Sequence, residues 1–180
     1  MKRFAVIGLG KFGFHMAKVL FEEGNEVIAI DRSPDRVQEI DPYCTEAIVL
    51  DISEKEKLRP LGLDETDAVV VSIGSDVSRS VLLTLYLQEI GVKKVLAKAI
   101  DEDHAKVLRK VGATEVIHPE KAMAIKVAQG LSRPNILDFI PLSEDYSLLQ
   151  IAPPSPFIGK SLRQLDLRAK YNVHVIAVEE

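Results

Sequence analysis

The sequence predicts a doubly wound α/β fold, in which a six-stranded parallel sheet of order 3-2-1-4-5-6 carries helices on both faces. Six short apolar segments alternate with segments of helical periodicity along residues 1–131, which is the pattern of successive βαβ units. The first apolar segment leads directly into three glycines spaced G-x-G-x-x-G, an arrangement typical of dinucleotide-binding folds. Because parallel crossovers are right-handed, the last three strands extend the sheet on the other side of strand one.

The first half of the predicted sheet has strands at 4–7, 26–30 and 46–50. Residues 4–7 are apolar without interruption, as in a strand that is buried on both faces. A helix is predicted from Phe14 onwards, since apolar residues recur there at steps of three and four. Ser33 and Pro34 are typical of the start of a second helix, at 34–40. A short third helix is predicted at 54–58, ending before Pro60.

The second half has strands at 67–73, 94–97 and 115–117. A long helix is predicted from about 76 to 90, with Gly91 as its C-terminal cap. Asp101 caps a helix at 102–111, which Gly112 ends. Pro119 opens a last helix at about 120–131. We therefore assign residues 1–131 to a nucleotide-binding domain.

Beyond residue 131 the sequence changes character. Residues 132–145 are predicted to be a crossover or hinge segment, because 136–142 form a dense apolar patch that needs a partner surface. Residues 146–180 are predicted to be a small, apparently truncated α+β lobe, with strands at 146–152 and 173–178 and a helix at 162–170. A fragment of that size is too small to be stable alone.

Composition excludes several classes of protein. The 180-residue chain is 47% hydrophobic and 28% charged, with a net charge of −4, which argues against a nucleic-acid-binding surface. A single cysteine, Cys44, permits no intramolecular disulfide and fits the cytosol. No apolar stretch approaches the length of a membrane span. We expect any role at a membrane to require a partner protein.

The glycine motif and the end of the second strand predict the central part of a nucleotide site. Gly8 lets the chain turn out of the strand, Gly10 lets the backbone approach a pyrophosphate, and Gly13 lets the helix pack on the sheet. The N-terminus of that helix offers N–H groups to an anion. Asp31, 18 residues beyond Gly13, can accept hydrogen bonds from both ribose hydroxyls and disfavours a 2′-phosphate.

Further candidates lie at the ends of other predicted strands. Gly74 leaves room in the cleft, and Lys98 can pair with a phosphate or be a solvated lysine at the rim. Asp51 and Ile52 can line an adenine pocket through their backbone groups, or Asp51 can cap a helix. Arg32 can stack on adenine or lie exposed.

Glu120 also has two interpretations. In the first turn of a helix, a glutamate is favourable because of the helix dipole alone. Its place at the end of the sixth strand, beside the cleft, also makes it a candidate ligand for Mg²⁺ held together with a nucleotide.

Several segments together resemble one known family. The fingerprint 8–13, the strand end at Asp31, and the segments 71–74, 97–99 and 112–120 are similar to the RCK, or TrkA-N, domain family, and within it to the KtrA-type regulatory subunits of bacterial Ktr potassium transporters. The segments 158–162 and 167–173 resemble the beginning of the family's C-terminal lobe. The likeness spans nearly the whole chain.

The resemblance implies a regulatory protein and not an enzyme. Such proteins form homodimers that assemble into rings, typically octameric, in the cytoplasm beneath an integral-membrane potassium-translocating subunit. ATP, ADP or NAD(H) in the Rossmann cleft changes the shape of the ring. The family's C-terminal lobe normally continues further, and in some members it binds cyclic di-AMP, which we do not expect of this shorter lobe.

The resemblance also implies roles for individual residues. The loop residues Lys11 and Phe12 join the nucleotide contacts, and the family commonly has arginine at the position of Lys11, where it reaches the γ-phosphate. Lysine keeps the charge but loses the planar fork. Glu120 helps to hold a divalent cation, Mg²⁺ or Ca²⁺. The helix at 120–131, with the apolar patch after it, resembles a flexible dimer hinge.

Two alternative functions are considered. A NAD-dependent oxidoreductase needs a substrate domain and a proton donor or acceptor that faces the nicotinamide, and only a small tail follows residue 131. A nucleotide-regulated adaptor for another membrane protein is compatible with the sequence.

Overall fold

The computed structural model describes residues 1–52, 55–74, 76–132, 136–141, 143 and 146–178, with the backbone alone for 136–139 and 141. The chain divides into two compact units, Met1–Ala122 and Met123–Glu180. The strands of the first unit are β1 (Arg3–Ile7), β2 (Glu26–Asp31), β3 (Glu46–Val49), β4 (Ala68–Val71), β5 (Val95–Lys98) and β6 (Glu115–Ile117). Its helices are α1 (Lys11–Glu22), α2 (Pro34–Ile40), α3 (Val77–Glu89) and α4 (Glu102–Lys110), and α5 (Pro119–Ser132) runs on into the second unit.

These six strands form one sheet of order β3-β2-β1-β4-β5-β6, and all five pairings are parallel. The predicted fold class and strand order are confirmed. Ile7, the last residue of β1, lies in register with Ile30 on one side and Val71 on the other. The carboxyl ends of the central strands therefore meet at one edge of the sheet, where a doubly wound fold binds its ligand.

Both faces of the sheet are buried because alternate residues of each strand point to opposite sides. On one face, Ile7 and Ile30 pack with Leu83 of α3 in the larger core cluster. On the other face, Val6 packs with Ala17 of α1 in a second cluster. The carboxyl edge of the sheet therefore lies between α3 on one face and α1 on the other.

The predicted helix at 54–58 is not present in the described residues. Three 3₁₀ turns replace it, Lys55–Lys57, Arg59–Leu61 and Leu63–Glu65, and Ser53 and Glu54 lie outside the described residues. Pro60 cannot continue a helix, and Gly62 adopts a left-handed conformation (φ 60°). Leu58 and Leu63 are nevertheless fully buried, so the segment packs on the core without a regular helix.

The second unit contains an antiparallel hairpin of β7 (Ile136–Pro141) and β8 (Ser147–Ile151). Residues 136–141 of the predicted hinge thus form a strand. The predicted helix at 162–170 is two short helices, α6 (Leu162–Leu165) and α7 (Leu167–Tyr171), separated by Asp166 in a left-handed conformation (φ 46°).

The predicted strand at 173–178 was wrong, since these described residues belong to no strand. Alternation alone does not form a strand without a partner to pair with. None of the described helices combines the length and the apolarity that crossing a bilayer requires.

Candidate functional site

Gly8 and Gly13 hold the turn after β1 against the core. Gly8 has a φ of 96°, and an added Cβ would lie 3.0 Å from the backbone of Ser72, just past β4. At Gly13, an added Cβ would lie 1.9 Å from the carbonyl oxygen of Gly8. Both positions exclude side chains for reasons of protein geometry, because the turn needs a left-handed residue and α1 packs directly on it.

Gly10 differs from both. It caps α1 in an extended conformation (φ −66°, ψ −178°), without a side-chain hydrogen bond to the helix. An added Cβ there would meet no atom of the described residues within 4 Å. Packing by this part of the chain therefore does not require glycine at this position, whereas the close approach of a ligand would. The first turn of α1 also contains no acidic residue, which leaves its N–H groups and partial positive charge open to an anion.

Asp31, at the end of β2, fixes the glycine turn from the side. Its carboxylate is 5% exposed; Oδ2 accepts a hydrogen bond from the backbone N–H of Leu9 at 2.7 Å, and Oδ1 accepts one from Ser33 at 2.9 Å. Arg36 Nη1 lies 3.4 Å from Oδ2. A carboxylate has about four lone-pair sites. These three contacts leave one of them, on Oδ1, for a ribose hydroxyl, and a second hydroxyl would replace the bond from Arg36, which is the longest of the three.

Lys98, Glu120, Phe12 and Gly74 lie together further along the edge. Lys98, only 14% exposed, forms an ion pair with Glu120, through Nζ and Oε1. Its Nζ lies 6.0 Å from the centre of the Phe12 ring. An added Cβ at Gly74 would lie 3.5 Å from the Lys98 side chain, which is ordinary van der Waals contact, so Gly74 borders the lysine directly.

The hydrogen bond from Lys98 lowers the pKa of Glu120 below its ordinary value, against the opposing effect of desolvation. The Glu120 side chain is 71% exposed, so solvent screens this pair. Among the described residues, no three His, Cys, Asp or Glu side chains are grouped as metal ligands. Glu120 fits a divalent cation only as a single carboxylate, with phosphate oxygens and water completing the coordination.

A cavity of about 260 Å³ lies beside the loop after β3, lined by Asp51, Ile52, Arg79 and Leu82. Arg79 Nη2 donates to Asp51 Oδ1 at 2.6 Å. The ion pair joins the segment after β3 to the first turn of α3. Asp51 and Ile52 were predicted site residues, and here they share a cavity with Arg79 and Leu82, which were not predicted.

The predicted candidates thus lie in three groups along the carboxyl edge: the glycine turn with Asp31, the Lys98–Glu120 pair, and the Asp51 cavity. Lys11 and Arg32 are exposed. Arg79 and Arg36 were missed. Arg79 could have been predicted from its position in the first turn of the helix that follows β4, because that turn faces the carboxyl edge in a doubly wound fold.

The chain is similar to known proteins over most of its length. The family model of the TrkA-N domain matches residues 4–119. The chain is 42% identical over 178 residues to the Ktr system potassium uptake protein C of Bacillus subtilis, which covers 99% of this chain and 80% of that protein. It is 40% identical over 175 residues to the Ktr system potassium uptake protein A of Vibrio alginolyticus, with coverages of 97% and 80%.

A solved structure, the GsuK protein bound to ADP, superimposes with a TM-score of 0.59 at 24% identity. The match covers 74% of this chain and 34% of that chain. At that identity the likeness shows the fold alone.

Proposed function

The chain belongs to the TrkA-N domain family, and we propose on that basis that it is a nucleotide-sensing regulatory subunit of a bacterial or archaeal potassium uptake system. In this role it binds an adenine nucleotide, ATP, ADP or NAD(H), at the carboxyl edge of its sheet. The bound nucleotide then changes the shape of an assembly that acts on a membrane-embedded potassium-translocating partner. The relatives at 42% and 40% identity are both named potassium uptake proteins.

One observation carries the nucleotide part of the proposal. The buried carboxylate of Asp31 accepts the N–H of Leu9, so the acid to which we assign the ribose lies directly beside the glycine turn and the open N-terminus of α1. Ribose hydroxyls and a pyrophosphate thus find an acceptor and a set of donors side by side. The GsuK structure with this fold is one bound to ADP.

The phosphate end of the ligand lies towards Lys98 and Glu120. A phosphate competes with the Glu120 carboxylate for Lys98, because both anions form charge-assisted hydrogen bonds with an ammonium group. Glu120, once released, can share Mg²⁺ or Ca²⁺ with phosphate oxygens. Lys11, at the start of α1, is the cation that we expect to contact a γ-phosphate.

The partner surfaces are those of a homodimer that forms a ring, which we expect to be octameric. In α5, Met123, Val127 and Leu131 follow one another at intervals of four residues, and each is more than half exposed. Such a stripe lies on one face of a helix and is typical of a surface covered by another chain. The subunit is cytoplasmic in this proposal and reaches the membrane only through its partner.

The proposed role is regulatory and not catalytic. A NAD-dependent oxidoreductase and an adaptor for a different membrane protein are the alternatives. Steady oxidation of NADH with a small carbonyl substrate would favour the first. Association with a membrane protein that carries no potassium would favour the second.

The test begins with the nucleotide that the purified protein retains, identified by mass spectrometry. ATP or ADP should raise the thermal unfolding midpoint, since a ligand that binds only the folded state stabilises it. Light scattering should show an oligomer whose hydrodynamic radius differs between ATP and ADP. A monomer that responds to neither nucleotide would overturn the proposal.

A further inference from the structure

The cavity beside Asp51 contains an arginine that no feature of the glycine turn requires. We propose that Arg79, together with the side chain of Asp51, selects the base of the bound nucleotide and favours adenine over guanine. The inference rests on the proposed function, because it concerns the base end of the same nucleotide site. It assigns a specificity-determining role to Arg79.

The cavity lies where a base would be when its ribose is held by Asp31. Asp31 is in register with Val49 of β3, two residues before Asp51, and its carbonyl accepts the N–H of Leu50 at 2.9 Å. Neighbouring strands are about 4.8 Å apart. A base attached to the ribose therefore needs to extend by about one strand spacing to reach Asp51.

The size and the walls of the cavity suit one flat ring system. Its volume of about 260 Å³ is below the roughly 300–1,000 Å³ of sites that enclose a whole drug-sized ligand. Ile52 is buried and Leu82 is 46% exposed, so two aliphatic side chains are available to contact ring faces. The Asp51–Arg79 ion pair supplies the polar groups.

The ion pair uses only part of the hydrogen-bonding capacity of its two members. A guanidinium has five N–H donors, and within the described part of the chain the buried Nε of Arg79 has no hydrogen-bond partner. An unsatisfied buried donor is unfavourable, so a ligand acceptor within reach of Nε would supply the bond that this donor lacks. The Asp51 carboxylate is 54% exposed, and its two oxygens have about four lone-pair sites in all.

A donor beside an acceptor matches adenine. Adenine presents its N7 acceptor next to its N6 amino donor, whereas guanine presents two acceptors, N7 and O6, on the same edge. Arg79 can donate to a ring nitrogen while Asp51 accepts from the adenine amine. With guanine in the same position, O6 would face the Asp51 carboxylate, and two acceptors repel each other.

The test compares the binding of ATP and GTP by titration calorimetry on the full chain. Arg79→Lys keeps a positive charge near Asp51 but removes the planar fork of donors. Lys55→Ala is the matched control, because Lys55 pairs with Glu89 at the same 2.6 Å. That second ion pair also ties the segment after β3 to α3, but it does not line the cavity.

We expect the wild type to bind ATP at least about tenfold more tightly than GTP. Arg79→Lys should weaken ATP binding by about tenfold and change GTP binding little, since a hydrogen bond to a charged group is worth about that factor. Lys55→Ala should behave as the wild type.

Two outcomes would overturn the inference. One is an Arg79→Lys variant with wild-type affinity for both nucleotides. The other is an equal loss for ATP and GTP together with a lower thermal midpoint, which would show that Arg79 only holds α3 in place. A wild-type protein that binds neither nucleotide would instead refute the proposed function itself.

Discussion

Lys98, at the end of β5, forms an ion pair with Glu120, in the first turn of α5. The pair connects the strand to the helix that runs from the first compact unit into the second. A ligand that draws Lys98 towards a phosphate, or Glu120 towards a cation, must act on this connection. The proposed coupling between nucleotide binding and assembly therefore has a defined starting point.

Replacing Glu120 should remove the effect of divalent cations on nucleotide binding. Glu120→Gln removes the carboxylate and frees Lys98, so ATP binding without divalent cation should strengthen by up to about fivefold, as an exposed ion pair is worth about 0.2–1 kcal/mol. The effect of Mg²⁺ or Ca²⁺ on ATP binding should disappear. Calorimetry with and without a chelator measures both.

Glu102→Gln is the matched control for this change, because Glu102 pairs at 2.8 Å with Lys121, which lies next to Glu120 in α5. It should leave the cation effect intact. A cation effect that persists in Glu120→Gln would exclude Glu120 as the ligand.

Alanine at Gly13 should lower stability, whereas alanine at Gly10 should affect nucleotide binding. Gly13→Ala places a Cβ 1.9 Å from the Gly8 carbonyl oxygen, and such overpacking should cost about 1–3 kcal/mol of unfolding free energy. The Cβ of Gly10→Ala meets no neighbour within the described part of the chain, so the protein should fold with a change below about 1 kcal/mol.

The same Gly10→Ala variant should lose most of its nucleotide affinity, since the new Cβ occupies the approach of the pyrophosphate. Urea unfolding and calorimetry test the two halves of this prediction separately. Full nucleotide affinity in Gly10→Ala would place the pyrophosphate elsewhere.

Asp31→Ala should affect both stability and binding. It leaves the buried N–H of Leu9 without its acceptor, and an unsatisfied buried donor costs about 1–3 kcal/mol. The affinities for ATP and NADH should fall together, because both ligands present the same ribose. Asp31→Asn, which retains an acceptor for Leu9, should recover most of the stability in urea unfolding. If ATP or NADH binds the alanine variant as well as the wild type, the ribose lies elsewhere.

Lys11→Ala should reduce the difference between ATP and ADP affinities without lowering stability. Lys11 is exposed at the first position of α1, so its removal deletes charge and no packing. Lys18→Ala on the same helix provides the comparison. An ATP-to-ADP affinity ratio equal in the wild type and Lys11→Ala would argue against a contact with the γ-phosphate.

His104 should make stability depend on pH. Burial lowers the pKa of its imidazole below the ordinary value of 6.5, while Asp101 opposes the shift. The ring bonds with Ser80 Oγ at 3.1 Å. As the pH falls below about 6.5, the unfolded chain takes up the proton first, so the free energy of unfolding should decrease.

Urea unfolding at about pH 7.5 and about pH 5.5 measures this dependence. His104→Gln should show a smaller decrease over the same interval than the wild type. An identical decrease in the two proteins would assign the pH dependence to other groups.

The strands and the glycine turn were predictable because local rules determine them. Uninterrupted apolar runs such as 68–71 indicate strands buried on both faces, and the structure has β4 there. The prediction of a strand at 173–178 also used a local pattern, the alternation of apolar and polar residues. It was wrong because an alternating segment also needs a partner strand. The prediction of a helix at 54–58 was wrong because Pro60 and Gly62 outweighed the weak helical pattern of the segment after β3.

The residues of the candidate site were predictable, but the contacts between them were not. The positions of Asp31, Lys98 and Glu120 at or just after strand ends predicted that they belong to the site. Their partners come from distant parts of the chain: Leu9 contacts Asp31 across 22 residues, and Glu120 contacts Lys98 across 22 residues. The spacing of residues along the chain does not determine which rotamer a carboxylate adopts in the folded protein, and therefore not which partner it contacts.

The sheet, its strand order and the glycine turn were predictable from the chain alone, because periodicity, glycine conformation and the handedness of crossovers act over short segments. The surroundings of each candidate residue follow only from the folded structure. It showed that packing demands glycine at Gly8 and Gly13 but not at Gly10, and that Arg79 reaches Asp51. Those facts depend on distances between residues far apart in the chain, which exist only once the strands have paired.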